Sequence, residues 1–481
     1  MPHTRRSVLK TTALGSLALA AGVDDVFGQN RAAPPNIVYI MADDMGYADV
    51  SCYGRPDLKT PNIDRIASQG VRLLQGYANS AVCTATRVAL ITGRYQYRQR
   101  LGLEEPLGAG NRAIGLPPSH PTLPSQLKKA GYATTLIGKW HLGELPSFSP
   151  LKSGYDHFYG FHSGGIDYYR HEGTDHKPDL WDDDMPIETI GYATDLFGDH
   201  AVDVVNRYAK ARNPFFVSLH FNAPHWPWEA PGDQDEAERL KTRTLFAYDA
   251  GTQNTYRNMI SAMDNQIGRV LKALDDNRLA NNTIVIFTSD NGGERFADTW
   301  PFTGRKMELL EGGLRIPSII SWPARIPQGK TSDQVSISMD WMPTLLAAAG
   351  GAPDPAYPMD GVNLLPILTG AAPVQPRTLY WRFKGNAQRA IRDGDMKYLK
   401  IRDNTFLFNV VEDPMERANL KDRQKDVYER LVAKWLEWDQ GMLPEVEESG
   451  TGGNPGNVWA DHVGSPAATR SADNPGPAPA R

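Results

Sequence analysis

Two almost unbroken apolar runs, Asn36-Ile37-Val38-Tyr39-Ile40-Met41 and Thr283-Ile284-Val285-Ile286-Phe287-Thr288, stop just short of polar side chains: Asp43-Asp44 in the first case, Asp290-Asn291 in the second. A strand that is apolar on both faces has to be covered on both faces, which marks a buried parallel strand rather than a half-exposed antiparallel one. In open α/β sheets ligands gather at the carboxyl ends of such strands, so the two polar pairs can converge on one site.

Strand and helix patterns alternate along the chain. Helices are predicted over Leu123 to Ala130 and Tyr192 to Arg207, and strands over Thr134 to Ile137 and Phe215 to Phe221. Between Tyr256 and Leu274, Met259, Met263, Ile267, Val270, Leu271 and Leu274 share one helical face. Thr60-Pro61-Asn62-Ile63-Asp64 reads as an N-cap, a first-position Pro and a short helix closed by Gly70. Trp181 to Pro186 reads as a surface hairpin. After Pro376 the texture changes to short alternating runs, Leu379 to Phe383, Ala390 to Arg392, Lys397 to Ile401 and Thr405 to Asn409, then a helix from Lys425 to Trp438. The expected class is therefore α/β: a large mixed, mostly parallel sheet flanked by helices, with a smaller C-terminal antiparallel sheet plus helix. The 481 residues have room for both.

At the N-terminus, Thr4-Arg5-Arg6-Ser7-Val8-Leu9-Lys10 followed by the small, apolar Ala13 to Ala21 has the layout of a twin-arginine export signal. The reading makes the twin-arginine translocase a partner and places the mature protein in the periplasm or outside the cell. The apolar run is too short to span a bilayer, so no membrane span is expected in the mature chain. Net charge is −5 with both signs interspersed, which leaves no basic stripe for nucleic acid. The divisions expected are signal and linker (1–32), catalytic domain (33–375), C-terminal α+β subdomain (376–445) and disordered tail (446–481).

Adjacent anions such as Asp43 and Asp44 repel unless they are solvated or share a cation. Alone, the pair is an ordinary solvated loop. Joined by Asp290 and Asn291 at a second strand end, it becomes a set of oxygen donors without Cys or His, which suits a hard cation, Ca²⁺ ahead of Mg²⁺. Cys83-Thr84-Ala85-Thr86-Arg87 lies ahead of the helical stretch Val88 to Ile91, so the cysteine has an electropositive setting suited to an anionic substrate. His141 and His225, taken singly, read as hydrogen-bonded structural residues, and Lys139 and Lys306 as surface charges.

Taken together, these segments closely resemble the type I, formylglycine-dependent sulfatases of the alkaline phosphatase superfamily, of the arylsulfatase and N-acetylgalactosamine-sulfatase kind. The resemblance runs from Pro35 to Leu443. It is carried by Asp43-Asp44, the Cys83 to Arg87 pentapeptide, Gly138-Lys139-Trp140-His141-Leu142-Gly143, Ala223-Pro224-His225, Ser289-Asp290-Asn291-Gly292-Gly293, Lys306 ahead of Glu311-Gly312-Gly313, and the Leu407-Phe408-Asn409, Asp413-Pro414 and Asn419-Leu420 series. The resemblance implies an alkaline phosphatase-like fold and a calcium ion held by Asp43, Asp44, Asp290, Asn291 and the side chain at 83. It implies that a formylglycine-generating enzyme converts Cys83 to formylglycine (3-oxoalanine), the nucleophile, and that Arg87 and Lys139 position it. By the same resemblance His141 assists sulfate release, while Lys306 and His225 grip the sulfate and its leaving oxygen, one of them as general acid. A disulfide between Cys52 and Cys83 would consume that nucleophile. The family motif commonly has Pro where this chain has Ala85, which bears on the efficiency of conversion.

The expected substrate is a sulfated carbohydrate. Asp167, Tyr169 and His171 in the 162–190 insertion, together with Trp226, are candidate substrate contacts, and equally candidates for hairpin packing. Two rival functions stand beside the sulfatase: a formylglycine-dependent phosphonate monoester or phosphodiester hydrolase, and a non-catalytic sulfated-glycan-binding protein. The second requires a missing catalytic residue, and the motif set is complete.

Overall fold

The computed structural model describes residues 33–451 apart from Tyr248. The expected export signal, and the tail beyond residue 451, lie outside the described residues. The first residues of the expected disordered tail, 446–451, differ from the reading. Lys384 Nζ donates to the carbonyls of Val446 and Ser449, while Gly450 N donates to the Glu104 carboxylate and Gly450 O accepts from Glu105 N. A low-hydropathy segment is thus held by polar bonds together with the packing of Val446 against the core of Trp381 and Phe383.

The main sheet has ten strands in the order Lys330–Ser332, Gly70–Leu73, Ser318–Ser321, Thr283–Ser289, Asn36–Ala42, Phe215–His220, Ala133–Lys139, His157–Phe161, then the hairpin Trp181–Asp182 and Met185–Pro186. The five from Thr283–Ser289 to His157–Phe161 are parallel, and Ser318–Ser321 turns the sheet antiparallel on one side. Pairing of Ala42 with Ser289, Met41 with His220 and Lys139 with Phe161 brings the carboxyl ends of the five level.

The apolar runs are continuous because each strand feeds two cores. Val38, Ile40 and Ala42 join one core with Phe197, Val204, Met259, Met263 and Ile267, from the helices Ala193–Ala211 and Gln253–Asp276. Ile37, Tyr39 and Met41 join the other with Val88, Leu123, Leu127, Trp341 and Leu345. Among the described residues no helix is long and apolar enough to cross a membrane.

The helix Pro61–Ser68 starts where the Thr60-Pro61 signal places it, but Thr60 does not cap it. Its hydroxyl is taken by Ser51. Asp264 of the long helix caps instead, accepting from Asn62 N at 3.2 Å, Ile63 N at 2.8 Å and Asn62 Nδ2 at 2.8 Å. Gly70 does not close the helix either; Gln69 is the C-cap and Gly70 opens a short strand paired between Lys330–Ser332 and Ser318–Ser321. Asp264→Ala is expected to lower stability by about 2 kcal/mol, read from the denaturation midpoint, since it orphans two helix N–H groups.

The C-terminal sheet is an antiparallel meander of Thr378–Phe383, Gln388–Asp393, Met396–Ile401 and Asn404–Asn409, with the helix Lys425–Asp439 on one face through Leu431 and Trp435. Its other face, with Trp381, Phe383, Leu399 and Phe406, shares a core with Val82, with Ala85 and Ala89 of the Cys83–Thr92 helix that follows it, and with Leu309 and Leu310. Polar bonds reinforce that junction. Gln388 accepts from Leu309 N and donates to Met307 O, and Glu416 accepts from Glu311 N at 2.6 Å. Lys397 is fully buried between Glu311 and Glu416, at 2.9 Å from each. Segment 303–311, which carries Lys306, is therefore clamped from the C-terminal sheet.

Candidate active site

Four of the five level strand ends deliver a polar segment of the site, and the fifth delivers its glycine wall. Asn36–Ala42 leads into Asp43 and Asp44, Thr283–Ser289 into Asp290 and Asn291, Ala133–Lys139 presents Lys139 and His141, Phe215–His220 runs on to His225, and His157–Phe161 leads to Gly164 and Gly165. Gly138 has φ 94°, and a Cβ there would lie 1.9 Å from the carbonyl oxygen of His220, so only glycine lets the chain bend before Lys139. Asp44 and His141 also occupy the left-handed region, at φ 63° and 57°. Such backbones are uncommon for residues with a Cβ and collect at functional sites.

The Cys83–Thr92 helix points its N-terminus into this cluster. Cys83 is its first residue, not ahead of it, and no side chain caps that end. The uncapped N–H groups and the helix dipole favour an anion there. Burial raises the Cys83 thiol pKa; Lys139 and Lys306 pull it down without overcoming the burial, and Asp43 and Asp290 add to the rise. Unmodified Cys83 is thus a thiol rather than a thiolate nucleophile. Cys52 and Cys83 are both free.

Three carboxylates face three cations. Lys139 Nζ donates to Asp43 at 2.6 Å, Lys306 Nζ to Asp44 at 2.6 Å, and Arg87 to Asp290 at 2.9 Å, all buried. Burial works against the charge of Asp290, but Arg87, Lys139 and Lys306 outweigh it and hold its pKa at about 2. Burial, then the charge of Asp290, pushes Asp43 well above the usual carboxylate range. Burial also opposes the Lys306 charge, yet Asp44 keeps Lys306 protonated. Asp44 Oδ1 accepts from Asn291 Nδ2 at 2.8 Å, and Asp290 Oδ1 from Asp44 N at 3.2 Å.

Two oxygens in this knot, Asp43 Oδ1 and Asn291 Oδ1, are buried without a hydrogen-bond partner. Buried acceptors of that kind fit a cation. The ligating atoms of Asp43, Asp44 and His225 lie within 4.8 Å of one another, which adds a histidine to the oxygen donors expected from sequence.

Both site histidines are held neutral. Burial, then Lys139, lowers the His141 pKa well below its usual value, and burial, then Lys306, does the same for His225. His141 Nε2 lies 3.0 Å from Leu107 O, which fixes the proton on that nitrogen; Nδ1 is buried and without a partner. His225 Nδ1 donates to Trp226 O, and its Nε2 lies 3.5 Å from Asp44 Oδ2.

The substrate contacts expected from the 162–190 insertion are not brought to this cluster. Asp167 is fully buried and accepts from Tyr169 N and Arg170 N. The Tyr169 hydroxyl donates to Ala230 O, and buried His171 lies 3.1 Å from Gly191 O through Nε2. Trp226 is half-buried against His225, with ring centroids 4.4 Å apart. A cleft of about 380 Å³ opens elsewhere in the insertion, lined by Arg112, Glu144, Ser163, Asp175, Lys177 and Trp181. Its wall at His162 and Ser163 continues directly into Gly164.

Sequence reasoning missed His220, and it quoted Ser289 within the Ser289-Asp290-Asn291-Gly292-Gly293 motif without giving it a role. His220 Nδ1 lies 3.3 Å from Arg87 and 3.2 Å from Lys139 O; Ser289 Oγ accepts from Met45 N and donates to Asn291 O. The available signal for His220 was a lone imidazole closing a mostly apolar strand.

The sulfatase family model matches residues 35–352, and that of the N-sulphoglucosamine sulphohydrolase C-terminal region matches 301–439. The N-acetylgalactosamine-6-sulfatase of Canis lupus familiaris is 33% identical over 388 residues, 76% of this chain and 71% of its own length. The solved structure of Ps i-CgsB, in complex with k-i-k-neocarrahexaose, aligns with a TM-score of 0.77 at 30% identity, over 87% of this chain and 95% of that one. The phosphonate monoester hydrolase of Agrobacterium radiobacter, at 20% identity and a TM-score of 0.61 over 85% of this chain and 96% of that one, shares the fold.

Proposed function

The chain belongs to the sulfatase family, and from that premise we propose that this sulfuric ester hydrolase acts on sulfated carbohydrates, with position 83 as its nucleophile after conversion to formylglycine. The observation that carries the reading is the convergence of Arg87, Lys139, His141, His225 and Lys306 with Asp43, Asp44, Asp290 and Asn291 around the uncapped helix end at Cys83. The carbohydrate class rests on the oligosaccharide complex of the similar structure and on the polar cleft, where Trp181, Arg112 and Lys177 suit an anionic sugar.

Conversion of Cys83 would supply a hydrated aldehyde, one hydroxyl of which attacks sulfur as the S–O bond to the alcohol breaks, and the other of which expels sulfate as the C=O bond reforms. The residues of the chain manage charge and protons around those steps. Arg87 and Lys139 flank position 83 and, with Lys306, offset the sulfate's negative charge. The proton for the departing alcohol is carried by Lys306, which Asp44 keeps charged. His225 is neutral before substrate enters; when the sulfate anion arrives beside it, Nε2 takes a proton from solvent and, as imidazolium, donates a hydrogen bond to the leaving oxygen, holding it for the proton that Lys306 delivers. His141, with Nε2–H committed to Leu107 O, takes up at Nδ1 the proton lost by the hydroxyl that expels sulfate.

Asp43, Asp44, Asp290 and Asn291 would hold a calcium ion, which when bound would draw negative charge from the sulfate oxygens. Addition of Ca²⁺ to chelator-treated protein is expected to raise its unfolding temperature, with stabilisation of about 2.7 kcal/mol at a hundredfold excess over Kd. Asp43→Asn should blunt that response, and an unchanged melting curve would count against the site.

The function is tested by comparing sulfate release from a sulfated galactose oligosaccharide with hydrolysis of an aryl phosphonate monoester. The expected result is a higher kcat/KM on the sulfate ester. A reversed ranking would establish the rival phosphonate hydrolase.

A further inference from the structure

The loop after the His157–Phe161 strand carries adjacent glycines, and each lies against a different site imidazole. A Cβ built on Gly164 would sit 2.8 Å from both Cε1 and Nε2 of His141, and one built on Gly165 would sit 2.9 Å from Cε1 and 3.0 Å from Nδ1 of His225. Neither glycine has a positive φ that would explain it otherwise, since both are absent from the left-handed residues. Carbon contacts are normally about 3.5–4.0 Å, so a methyl at either position has to displace the ring.

In both cases the glycine covers the ring edge whose nitrogen is committed to a backbone carbonyl, Nε2 of His141 to Leu107 O and Nδ1 of His225 to Trp226 O. The opposite nitrogens are left for chemistry: His141 Nδ1 has no partner, and His225 Nε2 faces Asp44. The loop is itself fixed. Asp179 accepts from His162 N at 3.1 Å and Ser163 N at 2.8 Å, and Asn222 Nδ2 donates to Ile166 O at 3.0 Å.

We propose that Gly164 and Gly165 are positioning residues that separately seat His141 and His225, each holding one imidazole in the plane and tautomer its role needs: proton uptake at Nδ1 for His141, the grip on the leaving oxygen at Nε2 for His225. The kinetic consequence rests on the roles given above to the two histidines. A displacement near 1 Å costs about 100-fold in rate. Gly164→Ala should therefore slow sulfate release, so that alcohol appears in a burst ahead of sulfate. Gly165→Ala should slow alcohol release, so that both products fall together with no burst.

A thermal double-mutant cycle reads the seating without any turnover. Gly164→Ala should lower the unfolding temperature in the parent and in His225→Ala, but not in His141→Ala, where the added methyl finds the space of the missing ring. Gly165→Ala should show the converse. If each glycine substitution costs the same in every background, or if both leave the kinetics and melting curves of the parent, the proposal is overturned. If the cycle shows the pairing but Gly164→Ala gives no burst, the seating stands and the proton-transfer role of His141 falls instead.

Discussion

Cys83→Ala is expected to fold as the parent does and to lose at least about 10⁴-fold in turnover, because no other group in the cluster can replace a nucleophile at that position. Cys83 is 1% exposed, and trimming its thiol leaves a cavity worth only about 1 kcal/mol, so lost activity will not be confused with unfolding. The sharper form of the test uses unaltered protein made with and without the converting enzyme. The tryptic peptide Leu73 to Arg87 reports by mass the fraction of aldehyde, and kcat per total enzyme should rise in proportion to it. Full turnover with a retained thiol would end the formylglycine reading. Burial already keeps that thiol protonated, so residual activity from unconverted protein is expected to be negligible.

The second large effect lies away from the chemistry. Lys397→Met is expected to cost about 3–5 kcal/mol, because it leaves Glu311 and Glu416 buried together without their shared cation. The loss should depend on pH. In the parent, burial pushes Glu416 up to about 7, whereas Lys397, Arg315 and Arg392 overcome burial at Glu311 and hold it well below the ordinary range. A carboxyl group whose folded pKa is raised binds its proton more tightly when folded. Its contribution is fully present below about pH 4.5, and stability falls as pH rises through the folded value. Removing Lys397 raises both carboxyls further, so the deficit in melting temperature should be larger at pH 8 than at pH 5.5. A deficit independent of pH would mean that the cavity, not the charge, is responsible. Lys306 activity should fall with it, since the same carboxylates anchor segment 303–311.

The central strands were legible because burial on both faces leaves an unmistakable composition, and the end of each such run points to the site. Asn36–Ala42 and Thr283–Ser289 were found for that reason. The short strands Gly70–Leu73 and, at the sheet's edge, Lys330–Ser332 were not, since strands of three or four residues are too short to show a period. The capping of Pro61–Ser68 by Asp264 was equally invisible, because the partner lies some 200 residues away, and a local motif shows only local competitors. Within the site, residue types and motif spacing pointed to the charged members. What sequence could not show was which nitrogen of each histidine is free, or that Asp167, Tyr169 and His171 are engaged with backbone groups of their own and neighbouring segments. Those are properties of packing between segments, and the same holds for the glycine pair, whose meaning lies in what touches it.

The clamp on segment 303–311 also sets an order of events during synthesis. Its partners come late: Gln388 lies 79 residues beyond Leu309, Lys397 86 residues beyond Glu311, and Glu416 105 residues beyond Glu311. A nascent chain that has released Cys83 and its helix therefore cannot yet fasten Lys306 against Asp44 until more than three hundred further residues, as far as Glu416, have followed. At ribosomal speeds of about 5–20 residues per second, that interval is tens of seconds. Any enzyme that has to reach the side chain at 83, which the finished fold encloses, has that time in which to act.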